Sequence, residues 1–187
     1  MKKTVDKNLT SEEAALSRRF FAYLIDWYVG GLVTALPIGL ISQKLYGTMT
    51  NQNIMEFDAP FGVIGGVLAV IFGILYFVVI PLFVYRGQTP GKRICKIKIV
   101  KVDNSEVDIK SMCLRQIIGM IVIEGALVTV SAIWHQIFTI ATGIDVVVPL
   151  MYAGMAVGAV SAVMVVFMKN HRAIHDYIGN TKVVSCK

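Results

Sequence analysis

R-R-F-F-A-Y-L-I-D, from Arg18 to Asp26, sets two cations at the mouth of an apolar run and one carboxylate inside it. In a helix Arg19 and Asp26 share a face and lie about 10 Å apart along the axis, at about 1.5 Å per residue. A carboxylate at membrane depth costs about 2.5 kcal/mol or more, so an acid held there is paired or functional. A structural ion pair that orients the first helix accounts for the same residues. The stretch by itself leaves both readings open.

Composition decides the surroundings. The chain has 187 residues, of which 56% are hydrophobic and 16% charged, and its mean hydropathy is +0.67. An ordinary soluble domain of this length is not so apolar. The expected fold is an all-α membrane protein with four transmembrane helices, at about 20–41, 61–85, 116–134 and 146–168, in a single domain over 1–187. Thr10 with Glu13 makes a capping-box pattern that predicts an interfacial helix before the first span. The first run extends too far, and carries Asp26, for a cleaved secretory signal. The second has no charge, and Gly62, Gly66, Ala69 and Gly73 give it small-residue surfaces for close packing. The third contains Glu124. The fourth contains Gly154 and Gly158, and Trp134 suits an interfacial position between these two runs.

Between the second and third runs, residues 86–115 change character. Lys96 and Lys98 alternate with Ile97 and Ile99, Asp103 to Ser105 supplies turn chemistry, and Val107 and Ile109 alternate with charged residues. The alternation predicts a small cytoplasmic β-hairpin. Every Lys and Arg except Lys44 falls in the N-terminal segment, in 86–115 or in the tail from Lys169. By the positive-inside rule both termini are cytoplasmic. The net charge of +6 then faces the anionic headgroups of a lipid bilayer rather than nucleic acid.

With that topology the first and third helices run in the same direction, and Asp26 and Glu124 come out level, about 10 to 14 Å along their helices at about 1.5 Å per residue. Arg19, Asp26 and Glu124 therefore form the candidate site for an ion, proton or substrate. Two acids beside one cation leave a surplus carboxyl whose pKa rises by desolvation, as a proton or small-cation site requires. Mutual structural pairing remains the alternative, and Glu124 has Thr129, Ser131 or water as other partners. G-Q-T-P-G-K-R, Gly87 to Arg93, departs from a Walker loop in spacing and lacks Ser or Thr after the Lys, so a turn with Lys92 and Arg93 at headgroups fits better. His171 and His175 are four apart, but no third ligand accompanies them and Arg172 stands where a zinc hydrolase has Glu. Cys95, Cys113 and Cys186 have no metal-ligand spacing. No catalytic residue, metal or cofactor is expected, and no enzymatic activity.

Three separated pieces, R-x-x-A-x-x-I-D at Arg19 to Asp26, G-Q-T-P-G-K-R at Gly87 to Arg93 and H-D-Y-I-G-N-T-K-V-V at His175 to Val184, together resemble the RDD family of prokaryotic integral membrane proteins. The family's arginine falls on Arg19 and its aspartates on Asp26 and Asp176. Its glycine-rich element falls on Gly87, Thr89, Gly91 and Lys92. The resemblance implies a multi-pass protein of the prokaryotic cell membrane for which transport is often suggested; it gives Glu124 no role. It also implies that the tail joins the hairpin, with Thr181 to Val184 as a third strand, while Asp176 is expected to work apart from Asp26, at the membrane surface. Two functions follow: a small transporter or ion- or proton-coupled carrier, working as a homo-oligomer because four helices are few, or a membrane-embedded adaptor or regulator of a partner membrane protein, in which the charges only hold the fold.

Overall fold

The computed structural model describes residues 9–125 and 129–186. Its order is strand β1 (Leu9–Glu13), helix α1 (Leu16–Tyr46), a 3-10 turn (Ile54–Glu56), helix α2 (Phe61–Val84), short helix α3 (Pro90–Ile94) and strand β2 (Ile97–Lys101). Helix α4 follows as Ile109–Cys113 continued by Leu114–Ile123, then α5 (Thr129–Thr142), α6 (Val147–Phe167), short helix α7 (Ile174–Ile178) and strand β3 (Thr181–Cys186). Among the described residues, α1, α2 and α6 are long and apolar enough to cross a membrane.

The bundle is α1 against α2, with α5 packed on both. Small residues on α2 allow the approach: a side chain at Gly73 would run into Val130, and one at Gly66 would meet Ile54 and Ile137. At the loop end Ile38, Ile54, Phe57, Ala69 and Ile133 are buried together. At the other end Ala14, Ala22, Val78, Ile97, Ile99, Met112 and Val183 join the helices to a small sheet. Burying such aliphatic side chains stabilises by about 1.5–3 kcal/mol each, so sheet and bundle form one packed body.

The sheet corrects the expected hairpin. Its strand order is β1-β3-β2, antiparallel throughout, and β2 pairs with β3 from Ile97↔Ser185 to Lys101↔Thr181. The alternation at Val107 and Ile109 is not a strand, because Asp108 caps α4 by accepting the Ser111 N–H at 2.8 Å. An Asp at an N-cap outweighs a two-residue alternation. The tail strand joins β2 as the resemblance implied, but directly and as the central strand. The expected interfacial helix at Thr10 to Glu13 is also corrected: those residues lie in β1, paired with β3.

The third apolar run departs most from expectation. A continuous helix over 116–134 with a linker at 135–145 is replaced by a break after Ile123, and α5 then extends to Thr142. The carbonyl of Ile121, just before the break, accepts the Ser131 hydroxyl at 2.7 Å and the Trp134 indole N–H at 3.2 Å. Interruptions inside membrane bundles persist where side chains satisfy the freed backbone in this way. Trp134 thus bonds across the break.

Candidate functional site

Asp26 is buried, at 3% exposure, and α1 aims it at the segment after α2. Its Oδ1 accepts the Tyr76 hydroxyl at 2.9 Å and the Gly91 N–H at 2.9 Å. Its Oδ2 accepts the Thr89 hydroxyl and lies 3.3 Å from the Lys92 ammonium. The local sequence builds this clasp. Gly87 takes a φ of +84°, where glycine is favoured, and its C=O accepts the Ile99 N–H at 2.8 Å, tying the turn to β2. Thr89 caps α3, Pro90 fills a first-turn position where no N–H is needed, and Gly91 brings the α3 backbone against α1. A Cβ at Gly91 would lie 2.5 Å from the Ala22 carbonyl oxygen and 2.8 Å from Asp26 Cγ. Burial lowers the pKa of the Lys92 ammonium, and the Asp26 charge opposes that shift.

Asp176, in α7, is fully buried. Its Oδ2 accepts Arg19 Nη2 at 3.2 Å and the Ala173 N–H at 3.0 Å, and its Oδ1 accepts Arg115 Nη1 and the Thr181 hydroxyl. Arg19 Nη1 also donates to the His171 carbonyl, and Arg172 Nη2 to the Asp176 carbonyl at 3.0 Å. Burial alone pushes the Asp176 carboxyl up, but Arg115, His175, Arg19 and the Ala173 N–H hold it well below the usual carboxylate range.

Glu124 stands at the break between α4 and α5 and meets neither Asp26 nor Arg19. Its Oε1 accepts the Ser161 hydroxyl of α6 at 2.8 Å and the His175 N–H at 2.7 Å, while Oε2 lies 2.6 Å from His175 Nδ1. His175 Nε2 is 3.9 Å from Asp176 Oδ2. The three candidate residues are thus divided: Asp26 joins Thr89, Gly91 and Lys92, Arg19 joins Asp176, and Glu124 joins His175. Asp26 and Glu124 do not meet, because Asp26 faces Tyr76 and the α3 segment whereas Glu124 faces α6 and α7.

Sequence reasoning missed Arg115, Tyr76 and Ser161 as partners. Arg115 has a signal, being a cation at the mouth of the third apolar run, where an unpaired charge is costly. Ser161 has none, since a lone Ser hydroxyl in an apolar helix commonly bonds its own backbone, and Tyr76 has none because an aromatic ring in an apolar run reads as packing.

The fold and site define an apolar helical membrane protein whose sheet-bearing cap is fastened to its helices through buried carboxylates. Residues 13–180 match the RDD family, and the chain belongs to it. It is similar to "Uncharacterized protein YckC" of Bacillus subtilis (strain 168), 29% identical over 110 residues that cover 59% of this chain and 54% of that protein. The chain thus spans about half the length of the curated relative it matches. No solved structure matches.

Proposed function

We propose that this RDD-family protein is a small carrier of the prokaryotic plasma membrane that couples the passage of a solute or small cation to proton movement. The observation that carries this reading is the interruption of the third apolar run at Glu124, where a carboxylate faces residues of α6 and α7. Carriers commonly build their sites from broken membrane helices with polar groups at the break. In this reading the chain crosses four times, with α4 and α5 together as the third crossing. Both termini and the basic cap lie on the cytoplasmic side against anionic headgroups. Exposed Val148, Tyr152, Met155 and Val163 on α6 supply a surface for a second copy, since four crossings are few for a carrier.

Ion flux in proteoliposomes under imposed pH and sodium gradients tests the proposal. Glu124→Gln is expected to abolish coupled flux. Asp26→Asn is expected to act first on stability, because Asp26 is committed to the cap. Absence of flux in the folded parent sinks the carrier reading. A second reading, an adaptor or regulator of a partner membrane protein, is favoured by the full complement of donors on Asp26 and Asp176, which suits charges that hold the fold. Co-purification of a stoichiometric membrane partner, with no flux, supports it.

A further inference from the structure

Asp26 and Asp176 are each matched by cations, whereas Glu124 has a histidine as its ionisable partner. The Glu124 and His175 side chains keep 11% and 18% exposure, against 5% for Asp26 and none for Asp176. We propose that Glu124 and His175 form a proton-exchanging site, with Ser161 as its positioning residue. The proposal rests on the carrier reading for its role in coupling.

The titratable groups facing the pair are Arg19 and Tyr23 from α1, Arg115 from α4 and Asp176 from α7; α6 contributes the neutral Ser161. With His175 neutral, the two carboxylates Glu124 and Asp176 balance the two guanidiniums Arg19 and Arg115. Neutral His175 holds its hydrogen on Nδ1, donates it to Glu124 Oε2, and turns a bare Nε2 toward Asp176 Oδ2, 3.9 Å away. One proton from water then binds Nε2, giving an imidazolium between two carboxylates, and its release restores the balanced state. No other bond changes. Ser161 fixes the geometry from both sides: its hydroxyl donates to Glu124 Oε1 and accepts the Ile174 N–H at 3.0 Å. A change of charge at His175 therefore bears at once on the break in the third apolar run, on α6 and on the Asp176 anchor.

The test uses the full chain in lipid nanodiscs with 15N-labelled histidine. The sequence has three histidines, so His175→Gln identifies the resonance. It is followed in the parent over about pH 5 to 9, and Glu124→Gln is expected to lower its protonation midpoint by about one unit, a tenfold loss of proton affinity. Ser161→Ala, which keeps every charge, is expected to lower the midpoint by a smaller step, and Glu124→Asp serves if the Gln variant does not fold. A His175 resonance fixed in one protonation state across that range, or a midpoint that Glu124 replacement leaves unmoved, overturns the proposal. Flux in proteoliposomes separates the two levels. Titration without flux removes the carrier reading and leaves the proton site standing. Proton-dependent flux in His175→Gln equal to the parent overturns the site and leaves the carrier.

Discussion

Gly91→Ala tests whether the clasp on Asp26 holds the cap to the membrane helices. The new Cβ would lie 2.5 Å from the Ala22 carbonyl oxygen and 2.8 Å from Asp26 Cγ and Oδ1. The first obstacle is backbone and the second a buried carboxylate, so neither rotates aside. Helix α3 has to withdraw from α1 by about 0.5–1 Å, and overpacking of this kind costs about 1–3 kcal/mol. That shift stretches the Gly91 N–H bond to Asp26 from 2.9 Å and the Lys92 contact from 3.3 Å. A hydrogen bond to a charged group contributes about 1.5–3 kcal/mol. Partial loss of both terms puts the expected destabilisation at about 2–4 kcal/mol. Thermal unfolding in nanodiscs measures it, with Gly47→Ala as control. Gly47 also has a positive φ, +72°, but open space around the Cβ position, so only the left-handed strain of about 1 kcal/mol applies there. A Gly91→Ala protein within about 0.5 kcal/mol of the parent would show that α3 is not seated on α1 as described, since that is the range of neutral surface substitutions.

Two further perturbations follow from the cap. Asp176→Asn leaves Arg19 and Arg115 buried against a neutral amide and is expected to cost about 3–5 kcal/mol in unfolding experiments, as breaking a buried pair does. Because the folded Asp176 carboxyl is held below its usual range, its contribution is complete above about pH 5 and falls as pH drops through about 4, where the unfolded carboxyl takes up protons first; a parent whose stability is flat from pH 5 to 3 contradicts this. Asp108, pushed down to about 2 by Lys101 and by the Ser111 N–H, loses its contribution between about pH 4 and 2 by the same linkage. Asp108→Ala is expected to cost about 1 kcal/mol through loss of the cap, read as a lower unfolding midpoint, and no change would contradict the capping role.

Much of this fold is legible in the sequence because burial at membrane depth leaves few choices. The runs beginning near Phe20, Phe61 and Val146 become α1, α2 and α6 within a few residues, since twenty apolar residues in lipid form a helix. The third run is misread because its hydropathy stays high across the break. Only Glu124, Gly125 and the hydroxyl of Ser131 mark it, and the bond from Ser131 to the Ile121 carbonyl is a tertiary fact. The sheet is half-visible for a similar reason: the alternation in Ile97–Lys101 is plain, but its partner is 80 residues away, and pairing at that separation leaves no local signal. At the site, the resemblance points to Arg19, Asp26, Asp176 and the Gly87 to Lys92 element, and the structure holds them in two clusters, Asp26 with Thr89, Gly91 and Lys92, and Arg19 with Asp176. Who meets whom depends on which face of α1 each residue occupies. Arg19 and Asp26 share a helical stripe in principle, yet α7 and α3 approach it at different heights and divide them.

The position of β3 bears on how the molecule assembles. It is the middle strand of the sheet, and every other described element precedes it in the chain. During synthesis the long apolar helices emerge first, carrying Asp26 and Arg19, and β1 and β2 have no strand between them until Thr181–Cys186 appears. The element that delivers Asp176 to Arg19 and Arg115 immediately precedes that strand. The cap therefore cannot close until that strand is made, and its closure pairs Asp176 with half-buried Arg19 and buried Arg115 at once. A chain interrupted before Thr181 would leave its helices in lipid with β1 and β2 unjoined, an exposed edge of the kind that quality-control proteases and neighbouring strands recognise.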